Sequence, residues 1–289
     1  MPTTAPPRPR RSGLSVAPDP ERGSAARYKV TFVRVLRSEW AKFWSLRSSW
    51  ITLGVAVVLL VLFGAIASYT YSPDAVAAGG PPGQGSGDSD AVSLALTGVT
   101  FASLAIGVLG VLLSAGEYST GMIRSTLAAV PRRLPVLLSK AAVIGPVALV
   151  LATVGALAAF LLGGPGLDGE QIALSLGDDG VLRSLAGAGV YLGLVAVLGV
   201  ALGVLLRSSA GAIAVLVGVL LILPGLASLL PDSWYDTLSP YFPSNAGSAV
   251  YALQQSSDAL SPGAGLAVFA GWVTLALAGA AYRLVRSDV

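Results

Sequence analysis

Six stretches of the chain are apolar throughout, at about 50–69, 94–115, 141–162, 185–206, 210–230 and 264–282, and none of them contains Asp, Glu, Lys or Arg. An α-helix rising 1.5 Å per residue needs about 20 apolar residues to cross a hydrocarbon core about 30 Å thick. The pattern therefore predicts an all-α integral membrane protein with six transmembrane helices.

The segments between these runs differ in kind. From Thr31 to Ser48, Val33, Leu36, Trp40, Phe43 and Trp44 recur at three-and-four spacing, with Arg34, Ser38, Lys42 and Ser45 on the opposite side. That periodicity predicts an amphipathic helix. Trp and Phe on one face and basic residues on the other suit a helix lying in the membrane interface before the first span. Residues 231–262 hold Trp234, Tyr235, Leu238, Tyr241, Phe242, Val250, Tyr251 and Leu253, too many for a free loop and too interrupted for a span. Short helices in the outer interface are expected there, one opening near Asn245 with Ala246, Val250 and Leu253 on one face and Pro243 and Ser244 as turn and cap. Residues 1–27, rich in Pro and Arg, cannot bury a core and read as a disordered basic tail ahead of one membrane domain, 28–289. Residues 71–90, with 79–87 among them, read as a flexible external connector, and 163–184 as a solvated acidic loop. In the fourth run Gly189 with Gly193, and Gly199 with Gly203, allow a neighbouring helix to approach closely, for a dimer seam or for internal packing.

Composition sharpens this picture. Hydrophobic residues make up 54% of the 289 positions, charged residues 11%, and the mean hydropathy is +0.75, against about 25% charged in soluble domains. Cys and His are both absent, which removes disulfides, thiolate or imidazole metal sites, Cys nucleophiles and His-based triads. No cofactor is implied and no nucleic-acid motif is present. The first long apolar run begins near Trp50, too late for a secretory signal, so the N-terminus is expected to be retained.

Charge sorts the loops. Seventeen of the 18 Lys and Arg fall before the first run, between the second and third, after the fourth, or after the sixth, leaving Arg183 alone on the other side. Ten of the 15 acidic residues fall on that other side: Asp74, Asp88, Asp90, Asp168, Glu170, Asp178, Asp179, Asp232, Asp236 and Asp258. Because Lys and Arg concentrate in cytoplasmic loops, both termini are expected in the cytoplasm. The membrane is then a plasma membrane of bacterial type.

The second and third runs are joined by Gly116-Glu-Tyr-Ser-Thr-Gly-Met-Ile-Arg-Ser-Thr-Leu-Ala-Ala-Val-Pro-Arg-Arg133. Ile123, Leu127 and Val130 form an apolar stripe that Pro131 ends. Glu117, Gly121, Ile123, Arg124, Leu127 and Pro131 are the candidate coupling residues, and Trp40, Phe43 and Trp44 those of the interfacial helix. Glu117, the one acid between Gly116 and Lys140, is expected to pair with Arg124 or with a partner's basic residue, and Glu117→Gln to leave folding unaltered.

On these residues the chain resembles the permeases of type 2 ATP-binding cassette (ABC) exporters. Members of that family carry an amphipathic connecting helix before six spans, here Arg37-Ser-Glu-Trp-Ala-Lys-Phe-Trp-Ser-Leu-Arg47. They carry Glu, three residues, Gly and a later Pro after the second span, here Glu117, Gly121 and Pro131, and short helices between spans five and six. Met122 departs from the Thr that many members have. The resemblance implies a half-channel that pairs with a second permease copy or paralogue and with two copies of a cytoplasmic ABC ATPase, in contact with membrane lipids. No G-x-x-x-x-G-K-[ST] phosphate loop occurs in the sequence, so hydrolysis is expected on a separate chain and not on this one. The alternative is a membrane sensor or immunity protein of the same fold that moves no cargo. A proton- or sodium-coupled carrier is disfavoured, because carriers place ionisable groups within their spans.

Overall fold

The computed structural model describes residues 31–72, 90–130, 132–229, 231–255 and 259–286. The tail 1–27, residues 73–89 of the expected connector and Pro131 lie outside the described residues. All the described elements are helical, and no strand occurs among the described residues.

Helix α1 (Phe32–Ser45) turns at Leu46, whose backbone is extended, into α2 (Arg47–Tyr69). A short helix α3 (Ala91–Ala95) opens on Asp90, whose carboxylate accepts from the Ser93 N–H while the Ser93 hydroxyl accepts from the Asp90 N–H. This reciprocal cap satisfies donors that the helix start leaves free. Then follow α4 (Val99–Ser119), α5 (Met122–Ala129), α6 (Leu134–Gly163) with a 3₁₀ turn Gly164–Leu167, and α7 (Val181–Leu206). Next come α8 (Ser209–Val217), a π turn Gly218–Ile222 and α9 (Leu223–Ala227), which form one continuous rod. Pro224 explains the π turn: it has no N–H for the Leu220 carbonyl, and the ladder widens so that the Leu223 N–H reaches Gly218 O. The chain ends with α10 (Asp232–Leu238), α11 (Pro243–Tyr251) and α12 (Pro262–Arg286).

Six of these helical segments are long and apolar enough to cross a membrane: α2, α4, α6 with its 3₁₀ turn, α7, the α8–α9 rod and α12. Their number agrees with the pattern in the sequence, and their ends differ instructively. The second begins at Val99, because 91–95 form the separate α3, and it continues past 115 through Glu117. The third begins at Leu134, seven residues ahead of its apolar run, and passes through Lys140. At 30 residues α6 is about 45 Å long, longer than the hydrocarbon core. Five of the six helices that could span thus contain charges that the apolar runs exclude, and two of those charges, Glu117 and Lys140, are buried.

Helix α7 is the axis of the bundle, with 72% of its most apolar window buried, and it packs most extensively on α4 and α6. Its glycine pairs divide the work. A Cβ on Gly189 or Gly193 would run into Leu149 and Thr153 or Gly145 of α6, and one on Gly199 or Gly203 into Gly107, Val111 and Ser114 of α4. Both pairs serve internal packing. At Gly199 the obstruction is backbone, the Gly107 carbonyl, which cannot swing aside. Gly199→Leu should therefore destabilise the bundle by at least the 1–3 kcal/mol of ordinary overpacking. The comparison is Gly54→Leu on α2, where a Cβ meets nothing within 4 Å. Thermal unfolding in detergent should fall for Gly199→Leu and hold for Gly54→Leu.

The two ends of the bundle differ in charge. At one end the Arg133 guanidinium donates to Leu284 O at 2.9 Å, Arg283 donates to Leu205 O, and Arg207 sits 5.3 Å over the Tyr118 ring. Cations thus meet the carbonyl-rich C-termini of α7 and α12, where the helix dipole favours them. At the opposite end Arg183 donates to Ala252 O at 2.7 Å and Val250 O at 3.5 Å, which fixes α11 to the start of α7. Helix α11 begins at Pro243, which suits a first helical turn, and stops at Tyr251, so Leu253 lies beyond it. Its start carries no side-chain cap, and Asn245 donates instead to Ser239 O at 2.8 Å.

Candidate functional site

Helix α1 packs beside α6 and touches the start of α2. The face it buries is Val35, Glu39 and Phe43, while Val33, Trp40 and Trp44 point outward, with 71, 45 and 61% of their surface exposed. The apolar stripe in the sequence is thus split: Phe43 faces the bundle and the two Trp face away. Trp40 and Trp44 stack at 5.9 Å, and Phe43 and Trp44 meet Trp50 of α2 edge-on at 5.4 and 4.9 Å. This aromatic knot fixes the angle between α1 and α2.

Burying the 35/39/43 face carries Glu39 into the interior, where it meets three other charges. Lys42 Nζ lies 2.9 Å from Glu39 Oε1 and 2.5 Å from Glu117 Oε1; Lys140 Nζ lies 2.8 Å from Glu39 Oε2 and 2.7 Å from Glu117 Oε1. Lys140 also donates to Leu113 O at 3.4 Å. Glu39, Glu117 and Lys140 are 6, 3 and 6% exposed. Two carboxylates and two ammonium groups therefore form a closed, neutral square joining α1, α4 and α6. An isolated charge at this depth would be strongly penalised, and mutual pairing is what allows both helices to carry theirs. Burial disfavours the charged form of Lys42, but the hydrogen bonds and charges of Glu117 and Glu39 outweigh it, and its pKa lies above the ordinary lysine value. One acceptor is left over, since Glu117 Oε2 is buried and has no hydrogen-bond partner.

This geometry changes the role expected of Glu117. It is not a solvated interfacial charge, and its partners are Lys42 and Lys140 rather than Arg124, which is exposed. The sequence reading missed Glu39, Lys42 and Lys140. A signal existed in the spacing of Val35, Glu39 and Phe43, which place an acid in the middle of an i, i+4, i+8 stripe, and in a lysine directly abutting an apolar run.

Beyond Glu117 the chain turns at Gly121, whose φ of +72° lies in the left-handed region. There Gly incurs no steric penalty and any side chain would. The turn sets α5 back against the bundle, with Ile123 4% exposed and Leu127 half-buried on the core. Ile123 and Leu127 are therefore the anchors of α5, and its outward face is Met122, Arg124, Ser125 and Ala128. Pro131, expected to end this helix, lies outside the described residues; α5 itself stops at Ala129. The charge square thus sits at the root of α5 and shares α4 and α6 with it.

No protein-family model matches the chain, and no curated protein matches it.

Proposed function

We propose that the chain is the permease subunit of an ABC exporter, with the charge square as a rigid joint through which α5 transmits the closure of a separate cytoplasmic ATPase to the spans. The observation that carries this reading is the joining of α1, α4 and α6 by Glu39, Lys42, Glu117 and Lys140 at the end of α4 that leads into α5. A push on α5 cannot bend α4 alone, because α6 and α1 are bound to the same four charges. The working surface of α5 is then its outward face, Met122, Arg124 and Ser125, with Ile123 and Leu127 holding it to the bundle.

The orientation follows the charges. The end bearing Arg133, Arg207, Arg283 and the charge square faces the cytoplasm, α1 lies in the inner interface with Trp40 and Trp44 among lipid headgroups, and α10 and α11 lie outside. Coverage supports a second permease copy or paralogue: the α8–α9 rod and α12 are each only 22% buried over their most apolar windows. They are the faces left for a partner copy or for lipid. Two ATPase subunits, one under each α5, complete such an assembly, in a plasma membrane.

The orientation is tested by single cysteines, which the Cys-free chain makes clean. Ser175 and Ser125 are both exposed and lie beyond opposite ends of the spans. A cysteine at 175 should react with an impermeant thiol reagent added to intact cells, and one at 125 only after permeabilisation. Ser86 and Ser256, outside the described residues, should behave as Ser175. Labelling of 125 in intact cells with 175 protected would invert the orientation and remove α5 from any cytoplasmic ATPase.

A further inference from the structure

The charge square forms one wall of a cavity of about 420 Å³ between α1, α2, α4 and α6, within the range of small-molecule sites. Its other walls are mainly apolar, with Phe43, Leu109, Leu113 and Ile144 among them, and its lining includes the exposed Leu46 and Leu112, so it opens to the surroundings. We propose that this cavity binds a neutral, hydroxyl-headed amphiphile, its head on Glu117 and Lys42 and its apolar body along α4 and α6.

The head chemistry follows from what the square leaves unspent. Lys140 uses all three of its protons, on Glu39, Glu117 and Leu113 O. Lys42, also on the cavity wall, spends two, on Glu39 and Glu117, and an ammonium group carries three. Glu117 Oε2 is buried with no partner. Lys42 thus retains one donor and the Glu117 carboxylate one acceptor, and a hydroxyl satisfies both once the carboxylate turns to bring the buried Oε2 to the cavity. A cationic head would satisfy only Oε2 and would add net charge to a neutral cluster in a low-dielectric site. Water alone fills the apolar part of the space poorly, because a bound water needs two to four polar partners and Phe43, Leu109, Leu113 and Ile144 offer none, unlike Ser45, Ser48, Ser49, Thr52 and Thr120 elsewhere in the lining. The inference rests on the cavity and its spare hydrogen bonds, and holds whether or not α5 couples to an ATPase.

The test uses the full-length chain in lipid nanodiscs and a ten-carbon primary alcohol carrying a mid-chain diazirine, with labelled peptides mapped by mass spectrometry. Saturable labelling is expected on the segments around Phe43 and from Leu109 to Leu113. Unlabelled 1-decanol should compete about tenfold or more better than decyl methyl ether, which keeps the oxygen but cannot donate. Gly116 lines the cavity, and a Cβ there meets nothing within 4 Å, so Gly116→Leu should fill the space with the four charges intact and abolish the saturable labelling. Equal competition by the ether, labelling that never saturates, or saturable labelling that persists in folded Gly116→Leu would each overturn the proposal. If Gly116→Leu does not fold, the alcohol and ether comparison on the unaltered chain decides it.

Discussion

Glu117→Gln and Lys140→Met are each expected to destabilise the bundle by about 3–5 kcal/mol, the cost of breaking a buried pair from one side. Each leaves the cluster with an unmatched charge, since Glu39 and Lys140 stay 6% exposed. The combined variant Glu117→Gln with Lys140→Met retains Glu39 and Lys42, a neutral pair already 2.9 Å apart. It should therefore lose less than the sum of the two single losses, by a coupling energy of about 1–3 kcal/mol in the double-mutant cycle. Unfolding in detergent, followed by tryptophan fluorescence, measures this. Strict additivity would show that the four charges do not act as one unit. The result would differ sharply from that of an exposed ion pair, whose removal costs about 0–1 kcal/mol.

The second large effect is at Ile123. Ile123→Asp would bring a carboxylate into a site 4% exposed, where burial strongly disfavours its charged form. The α5 helix, only eight residues long, cannot persist in isolation, so it should detach from the bundle while the spans remain folded. Trypsin cleavage at Arg124 should then accelerate by at least tenfold at unchanged melting of the remainder. Leu127→Asp, half-buried, should do the same to a lesser degree, in contrast to its expected role as a partner contact. Cleavage and melting both unchanged in Ile123→Asp would mean that Ile123 is not what holds α5 in place.

How far the sequence could be read depended on which forces set each feature. The six long apolar helices were legible because the burial of about 20 apolar residues per helix overwhelms local detail. Their ends were not. The runs stop at the first charge, whereas α4 continues through Glu117 and α6 begins before Lys140, because each charge is neutralised by a partner 23 residues away in the chain. Glu39 illustrates the same limit: helical periodicity correctly predicts α1, but the five-residue apolar stripe does not reveal that one edge faces away from the bundle and the other into it. On α5 the stripe was visible and its direction was not, since Ile123 and Leu127 turn inward only through the left-handed turn at Gly121. The glycine pairs of α7 were visible as places of close approach; only tertiary structure shows that one grips α6 and the other α4.

The outward face of α5 is proposed to engage a separate ATPase. The most direct measurement is vanadate-sensitive ATP hydrolysis copurifying with the tagged full-length chain from its native membrane, compared between the unaltered chain and Arg124→Glu at matched expression and melting temperature. Arg124 is exposed and holds no anchor role, so the charge reversal should leave the bundle intact and reduce the copurifying activity about tenfold or more. Copurifying hydrolysis that is undiminished in Arg124→Glu, or absent from the unaltered chain altogether, would contradict the account.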